Sequence, residues 1–186
     1  GLMSDSLRIQ NLIPITEPYT NSPFNKPAIG GPSGETVSSA VLSVTGQDAI
    51  VDWVFLELRS SSNPANIIAT KRALIQRDGD IVSNIDGVSP VKFETVSNGN
   101  YYVTLKHRNH LGVMTNSVMA LDNCNANSYD FTTSPVWVNS TLLFAPRRVI
   151  GSVNTLWGGD ANNNKNSKYN GLANDKEVIL ASVGVA

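Results

Sequence analysis

From Ile50 to Ser60 the chain reads IVDWVFLELRS. On an extended backbone Val51, Trp53, Phe55 and Glu57 fall on one side, and Asp52, Val54, Leu56 and Leu58 on the other. Both sides are largely apolar, the pattern of a central strand covered on two faces. The SSSNPAN cluster predicts a turn and IIATKRALIQ the next strand. Arg77-Asp78-Gly79-Asp80 predicts a tight hairpin turn, because Asp-Gly tolerates the positive φ such turns need. A short IVS strand, the loop NIDGVSP and a strand VKFETV follow. Asn98-Gly99 then turns the chain into a strand where Tyr101, Val103 and Leu105 alternate with Tyr102, Thr104 and Lys106, one face core and one wet. GVMTNSVMAL reads as a further strand, and YDFTT and PVWVNSTLLF as candidates. Upstream, Val37, Val41 and Val44 in TVSSAVLSVTG predict another strand, ended by Gly46.

Strands separated by Gly/Asn/Asp turns, with almost no helical periodicity, place the chain in the all-β class. Gly99, Tyr101 and Val103 resemble the tyrosine-bearing corner strand of immunoglobulin-like and fibronectin-like sandwiches, and a buried Trp53 on an earlier strand agrees. The expected fold is therefore an immunoglobulin/fibronectin-like antiparallel β-sandwich, with roughly seven strands between Thr36 and Leu121 and a core that includes Trp53, Phe55, Val103 and Leu105. Residues 1–35, broken by Pro14, Pro18, Pro23, Pro27 and Pro32, form an irregular segment packed on the sandwich. Residues 36–146 are the sandwich, and 147–186 a loop and a short C-terminal helix. Asn174 or Asp175 caps that helix, Glu177 complements its positive end, and Val178, Ile179, Leu180 and Val183 give it an apolar face.

Composition narrows the function classes. The 186 residues are 41% hydrophobic but only 16% charged, against roughly a quarter in average domains, and Asn, Ser, Thr, Gly and Val fill the difference, as in secreted β-proteins. With a net charge of −1 and scattered basic residues there is no electrostatic footprint for nucleic acid or an anionic membrane. No apolar run is long enough to span a bilayer. No leader is recognisable, and Gly1 ahead of Leu2 has the look of a cleavage scar, so a leader could have preceded it. A lone Cys124 excludes an internal disulfide, and no Walker, nucleophile-elbow or dinucleotide motif is present.

The strongest chemical signal lies in GGDANNNKNSKYNGLANDKEVIL, residues 158–180. Oxygen donors at every second residue, followed by acids at a helix start, are how a hard-cation loop is written. Asp160 would supply the first oxygen, Asn162 and Asn164 amide oxygens, Asn166 its carbonyl, and Asp175 the closing carboxylate, with Glu177 as the alternative closure. Lys165 stands where such loops place a turn glycine. With two carboxylates the expected cofactor is a weakly held structural Ca²⁺, with Kd on the order of 10⁻⁴–10⁻³ M. His107 and His110, three residues apart, lack a third ligand at diagnostic spacing and read as structural histidines. Asp78, Asp80 and Asp86 are explained by turn chemistry. Tyr19, Tyr102, Trp137, Trp157 and Tyr169 fall outside obvious core positions and could stack on sugar rings.

Taken together, LWGGDANNNKNSKYNG and NDKEVIL with the upstream segments NLIPITEPY, VDWVFLELR, ALIQRDGDIV, DGVSPVKF and GNYYVTLKHRNHLGVMT resemble a bacterial cell-surface family, secreted and haemagglutinin-like, whose tail is similar to one repeat of a dockerin calcium loop. The resemblance covers about Asn11 to Val185 and weakens over residues 122–146. Family loops read Asp-x-Asn-x-Asp-Gly, from which Asn164 and Lys165 depart. The resemblance implies a secreted or cell-surface domain of unassigned function, often at the end of a larger surface protein. The expected role is a non-enzymatic, adhesion-type domain that meets a surface glycan or protein. A carbohydrate-binding module is the second reading, and a hydrolase subunit the third.

Overall fold

The computed structural model describes residues 3–122, 124–138 and 145–183. They form a mostly antiparallel β-structure with few helices. Helices α1 (Ser6–Ile9) and α2 (Ser39–Leu42) precede strands β1 (Ile50–Ser60), β2 (Ile67–Gln76), β3 (Ile81–Val82), β4 (Gly99–His107), β5 (His110–Met114) and β6 (Met119–Leu121). These six strands make one sheet in the order β3-β2-β1-β4-β5, with β6 also on β4. A separate hairpin, β7 (Arg148–Ile150) and β8 (Val153–Thr155), and helix α3 (Asp175–Val183) follow.

β1 sits between β2 and β4, and every residue from Asp52 to Leu58 is buried, as its two apolar faces require. Trp53 and Phe55 enter one core cluster with Ile13, Tyr19, Val37, Val41 and Leu74. Val54 and Leu56 enter the other with Ala73, Leu105, Val113 and Val136. The first face is covered by the N-terminal segment, which is joined to β2 side by side: Thr70 N–H donates to Ile29 O at 2.8 Å, and Ile29 N–H to Thr70 Oγ1 at 2.9 Å. The second is covered by irregular segments that contribute Val91, Phe93, Phe131 and Leu156.

Several local expectations change. TVSSAVLSVTG is not a strand. Ser38 accepts from Val41 N–H at 3.3 Å and caps the turn of α2, which sets Val37 and Val41 on one buried side, four residues apart. Gly87 meets that side with φ +70°, and a Cβ there would lie 2.6 Å from Val41 Cγ1, so only glycine lets the NIDGVSP loop close on the helix. VKFETV is irregular, the bridge from Pro90 to Val82 lying just before it, yet it delivers Phe93 to the core. YDFTT is a turn, and of PVWVNSTLLF only a bridge at Val136 falls within the described residues, 139–144 lying outside them. GVMTNSVMAL becomes two strands on one edge of β4. Between them the buried Thr115 replaces the ladder, its hydroxyl accepting from Val103 N–H at 3.2 Å while its own N–H donates to Val103 O at 3.0 Å. Val103 itself is only half buried, whereas Leu105 is core. Tyr101 donates its hydroxyl to Ser97 O at 2.9 Å, back to the turn four residues upstream.

Candidate cation loop and histidine pair

The tail loop begins where β8 ends and is fastened to the β4–β5 hairpin. Leu111 N–H donates to Trp157 O at 2.8 Å, and Gly159 N–H to Asn109 O at 3.0 Å. Inside the loop each polar side chain holds a later amide. Asn162 Oδ1 accepts from Asn164 N–H at 3.0 Å, Asn164 Oδ1 from Asn166 N–H at 2.8 Å, and Asp160 Oδ2 from Lys165 N–H at 3.2 Å. Asp175 spans the loop, taking Asn162 N–H at 3.2 Å on one oxygen and Lys168 N–H at 2.7 Å on the other. Lys165 adopts φ 71°, the left-handed conformation that a glycine ordinarily supplies at this position. Asn174 caps α3: its Oδ1 accepts from Glu177 N–H at 3.0 Å and its Nδ2 donates to Glu177 Oε1 at 2.9 Å, so Glu177 is engaged in the cap.

The five residues expected to ligate are thus brought to one loop, in different states. Asp160 and Asp175 are each 4% exposed, Asn162 and Asn164 are half buried, and Asn166 is exposed. Asp160 Oδ1 is buried without a hydrogen-bond partner. Burial first, and then the Asp175 charge, push the Asp160 carboxyl above the usual range, against the pull of the Lys165 amide. A buried carboxylate oxygen with no donor is the chemistry a hard cation would satisfy, so the donor set fits Ca²⁺. Among the described residues no three His, Cys, Asp or Glu side chains gather as a metal group, so amide and carbonyl oxygens would have to complete the shell. On the apolar side of α3, Val178, Ile179 and Leu180 are exposed, and the side chain of Val183 lies outside what the structure describes.

At the hairpin tip His107 and His110 are register partners across a two-residue connection, which places the rings side by side. Their Nδ1 atoms are 2.9 Å apart, and His107 Nε2 is 3.0 Å from Asp52 Oδ2. Asp52, 1% exposed on β1, also accepts from Arg108 Nε at 2.8 Å, Arg108 Nη2 at 3.0 Å and Trp53 N–H at 2.8 Å. Burial works to raise the Asp52 carboxyl, but His107, Arg108 and the Trp53 amide outweigh it and hold it below the usual range. Burial, and then His107, push His110 down to about 4. The spacing of HRNH hinted at this pair; the Asp52 partner was not legible, because it comes from a strand more than fifty residues earlier.

Other candidates have local explanations. Asp86 accepts from Val88 N–H, Ser89 N–H and the Ser89 hydroxyl, which hold it down to about 2. Asp78 takes Asp80 N–H at 3.3 Å, and both are exposed in the turn. Of the aromatics, Tyr19 is core, which corrects its expected surface position. Trp137 is 40% exposed with Tyr102 edge-on to it at 5.5 Å, Trp157 is half buried near Arg148, and Tyr169 is exposed under Lys176. Cys124 is exposed and free. A depression of about 470 Å³ lined by Ile15, Thr36, Val37, Ser38, Asn84 and Ile85 holds no carboxylate. Buried ion networks escaped the sequence reading: Glu17 with Arg72, and Glu57 with Arg59 and Lys106, because neither an irregular segment nor a two-faced strand gives a periodic mark of an acid's partners. Among the described residues no helix is long and apolar enough to cross a membrane. No family model matches the chain, and neither does any curated protein or solved structure.

Proposed function

We propose that the chain is a non-enzymatic, exported surface domain of adhesion type, whose C-terminal loop takes up Ca²⁺ weakly and is thereby clamped to the sheet. The observation that carries the cation is the partnerless, buried Asp160 Oδ1 in a loop shared with Asp175. Asp160, Asn162, Asn164, Asn166 and Asp175 would hold the ion, which would supply charge neutralisation and cross-link the loop start to the start of α3. Because the loop hangs from the β4–β5 hairpin through Gly159 and Trp157, ordering it would stiffen that edge of the sheet. The resemblance to haemagglutinin-like surface proteins, and an Asn- and Ser-rich, weakly charged composition, support the exported reading. For the fold type, the Tyr101–Ser97 bond supports an immunoglobulin-like corner. A sandwich also needs a second sheet facing the first, and among the described residues the six-stranded sheet is faced by irregular segments.

Thermal melts with millimolar Ca²⁺ against chelator test the clamp. The intact chain gains midpoint with Ca²⁺ by mass action, and the gain disappears in Asp160→Asn. Identical melts would refute it. A carbohydrate-binding role is favoured by one observation, the exposed Trp137 backed by Tyr102. A glycan array in which binding is abolished by Trp137→Ala would select that reading over a protein partner.

A further inference from the structure

We infer that the β4–β5 hairpin tip is a second metal site, in which His107 Nδ1 and His110 Nδ1 bind one borderline divalent transition-metal ion of the Zn²⁺ class. The inference does not rest on the Ca²⁺ reading, since Ca²⁺ takes oxygen ligands and this site offers nitrogen.

The geometry is close to that of a chelate. Two nitrogens each about 2.0–2.1 Å from a tetrahedral ion stand about 3.3 Å apart. The two Nδ1 atoms are already 2.9 Å apart, on rings inclined at 70° with centroids at 4.8 Å. The pair therefore needs to open by only a few tenths of an ångström. The hairpin supplies this placement through backbone register, so little side-chain freedom is left to lose.

The tautomer is set for the same role. Asp52 is ionised and acceptor-only, so His107 Nε2 carries the proton that faces it, and Nδ1 keeps its lone pair. Asn109 N–H, 3.4 Å from Nδ1, points at that lone pair as well. A carboxylate behind a ligating imidazole is the arrangement that orients metal-binding histidines. Asp52 in turn is immobilised by Arg108 and the Trp53 amide, so the chain of support reaches the central strand. Without metal, His110 donates its Nδ1 proton to His107 Nδ1. On binding, that proton moves to His110 Nε2, which lies beside the open side of Gly158, and the count of protons is unchanged. Asp52 and Arg108 cancel in charge, so the site meets a dication without a positive neighbour left uncompensated. Among the described residues no third His, Cys, Asp or Glu joins the pair, so water fills the other positions and affinity is micromolar or weaker.

The experiment is a calorimetric titration of the full chain with Zn²⁺ in excess Ca²⁺. One equivalent should bind; His110→Gln should abolish it, Asp52→Asn should weaken it about 10–100-fold, and Asp78→Asn, at an exposed acid of the β2–β3 turn, should leave it unchanged. Far-UV circular dichroism confirms that each variant is folded. Nitrogen NMR of the unaltered chain gives a readout that needs no variant: Zn²⁺ should shift the Nδ1 resonances of both histidines. No heat up to millimolar Zn²⁺, binding that survives His110→Gln, or unmoved Nδ1 signals would each overturn the site. Undiminished binding in Asp52→Asn would remove Asp52 as its positioning residue.

Discussion

The hydroxyl of Tyr19 donates to the backbone carbonyl of Trp53 at 2.8 Å. Trp53 answers with its indole N–H, which donates to Pro14 O, also at 2.8 Å. Two reciprocal bonds thus tie a proline-broken segment without strands to the middle of β1. Burial, and then the Asp52 charge, push the Tyr19 phenol far above its ordinary range, so it stays a donor throughout the accessible pH range. The N-terminal segment is accordingly the lid of one core face, and its irregular backbone follows from its prolines.

Tyr19→Phe removes only that donor. We expect a loss of about 1–2 kcal/mol, because a buried carbonyl loses its hydrogen bond while ring packing is kept. Urea unfolding measures it; a loss within about 0.3 kcal/mol would mean the lid is held by packing alone.

Leu105 and Val103 alternate on β4 but differ in burial, Leu105 being core and Val103 half exposed. Leu105→Ala should cost about 2–5 kcal/mol, and Val103→Ala about 1 kcal/mol. Equal costs in chemical denaturation would contradict the burial described.

Glu57 is buried between Arg59, at 2.5 Å, and Lys106. Burial alone would raise its carboxyl, but Lys106 and then Arg59 prevail and lower it. A carboxylate lowered in the folded state contributes stability above its unfolded value near 4.3, and loses it as pH falls through the folded value. The acid limb of a stability profile should therefore be flatter below about pH 5 in Glu57→Gln than in the parent. At pH 7 that variant should lose about 2–4 kcal/mol, since Arg59 and Lys106 keep some water.

Lys165→Gly tests the loop. It relieves a left-handed residue and removes an exposed positive charge from the loop. We expect about 0.5–1 kcal/mol of added stability without metal and a tighter Ca²⁺ response in the same melts. A weaker Ca²⁺ response would sink the proposed ligand set.

Much of the sheet was legible in the sequence because period-two patterning is local. β1, β2, the Arg77–Asp80 turn and β4 emerged within a residue or two of their ends, and the capped start of α3 was readable from Asn174 and Glu177. The alternating oxygens of the tail loop were readable too, because turn-forming side chains bond to amides two residues on. What tertiary structure alone decided lies in contacts between segments distant in sequence. Whether Val37 and Val41 line a strand or one side of a short helix depended on Ser38 finding an amide and on Gly87 lying above them. That Asp160 keeps an oxygen without a donor, and that Asp52 stands behind His107, depended on burial and on strand register. A sequence carries periodicity and turn chemistry residue by residue, whereas partners for buried charges are chosen only when the sheet closes, because desolvation acts on three-dimensional neighbours and not on order along the chain.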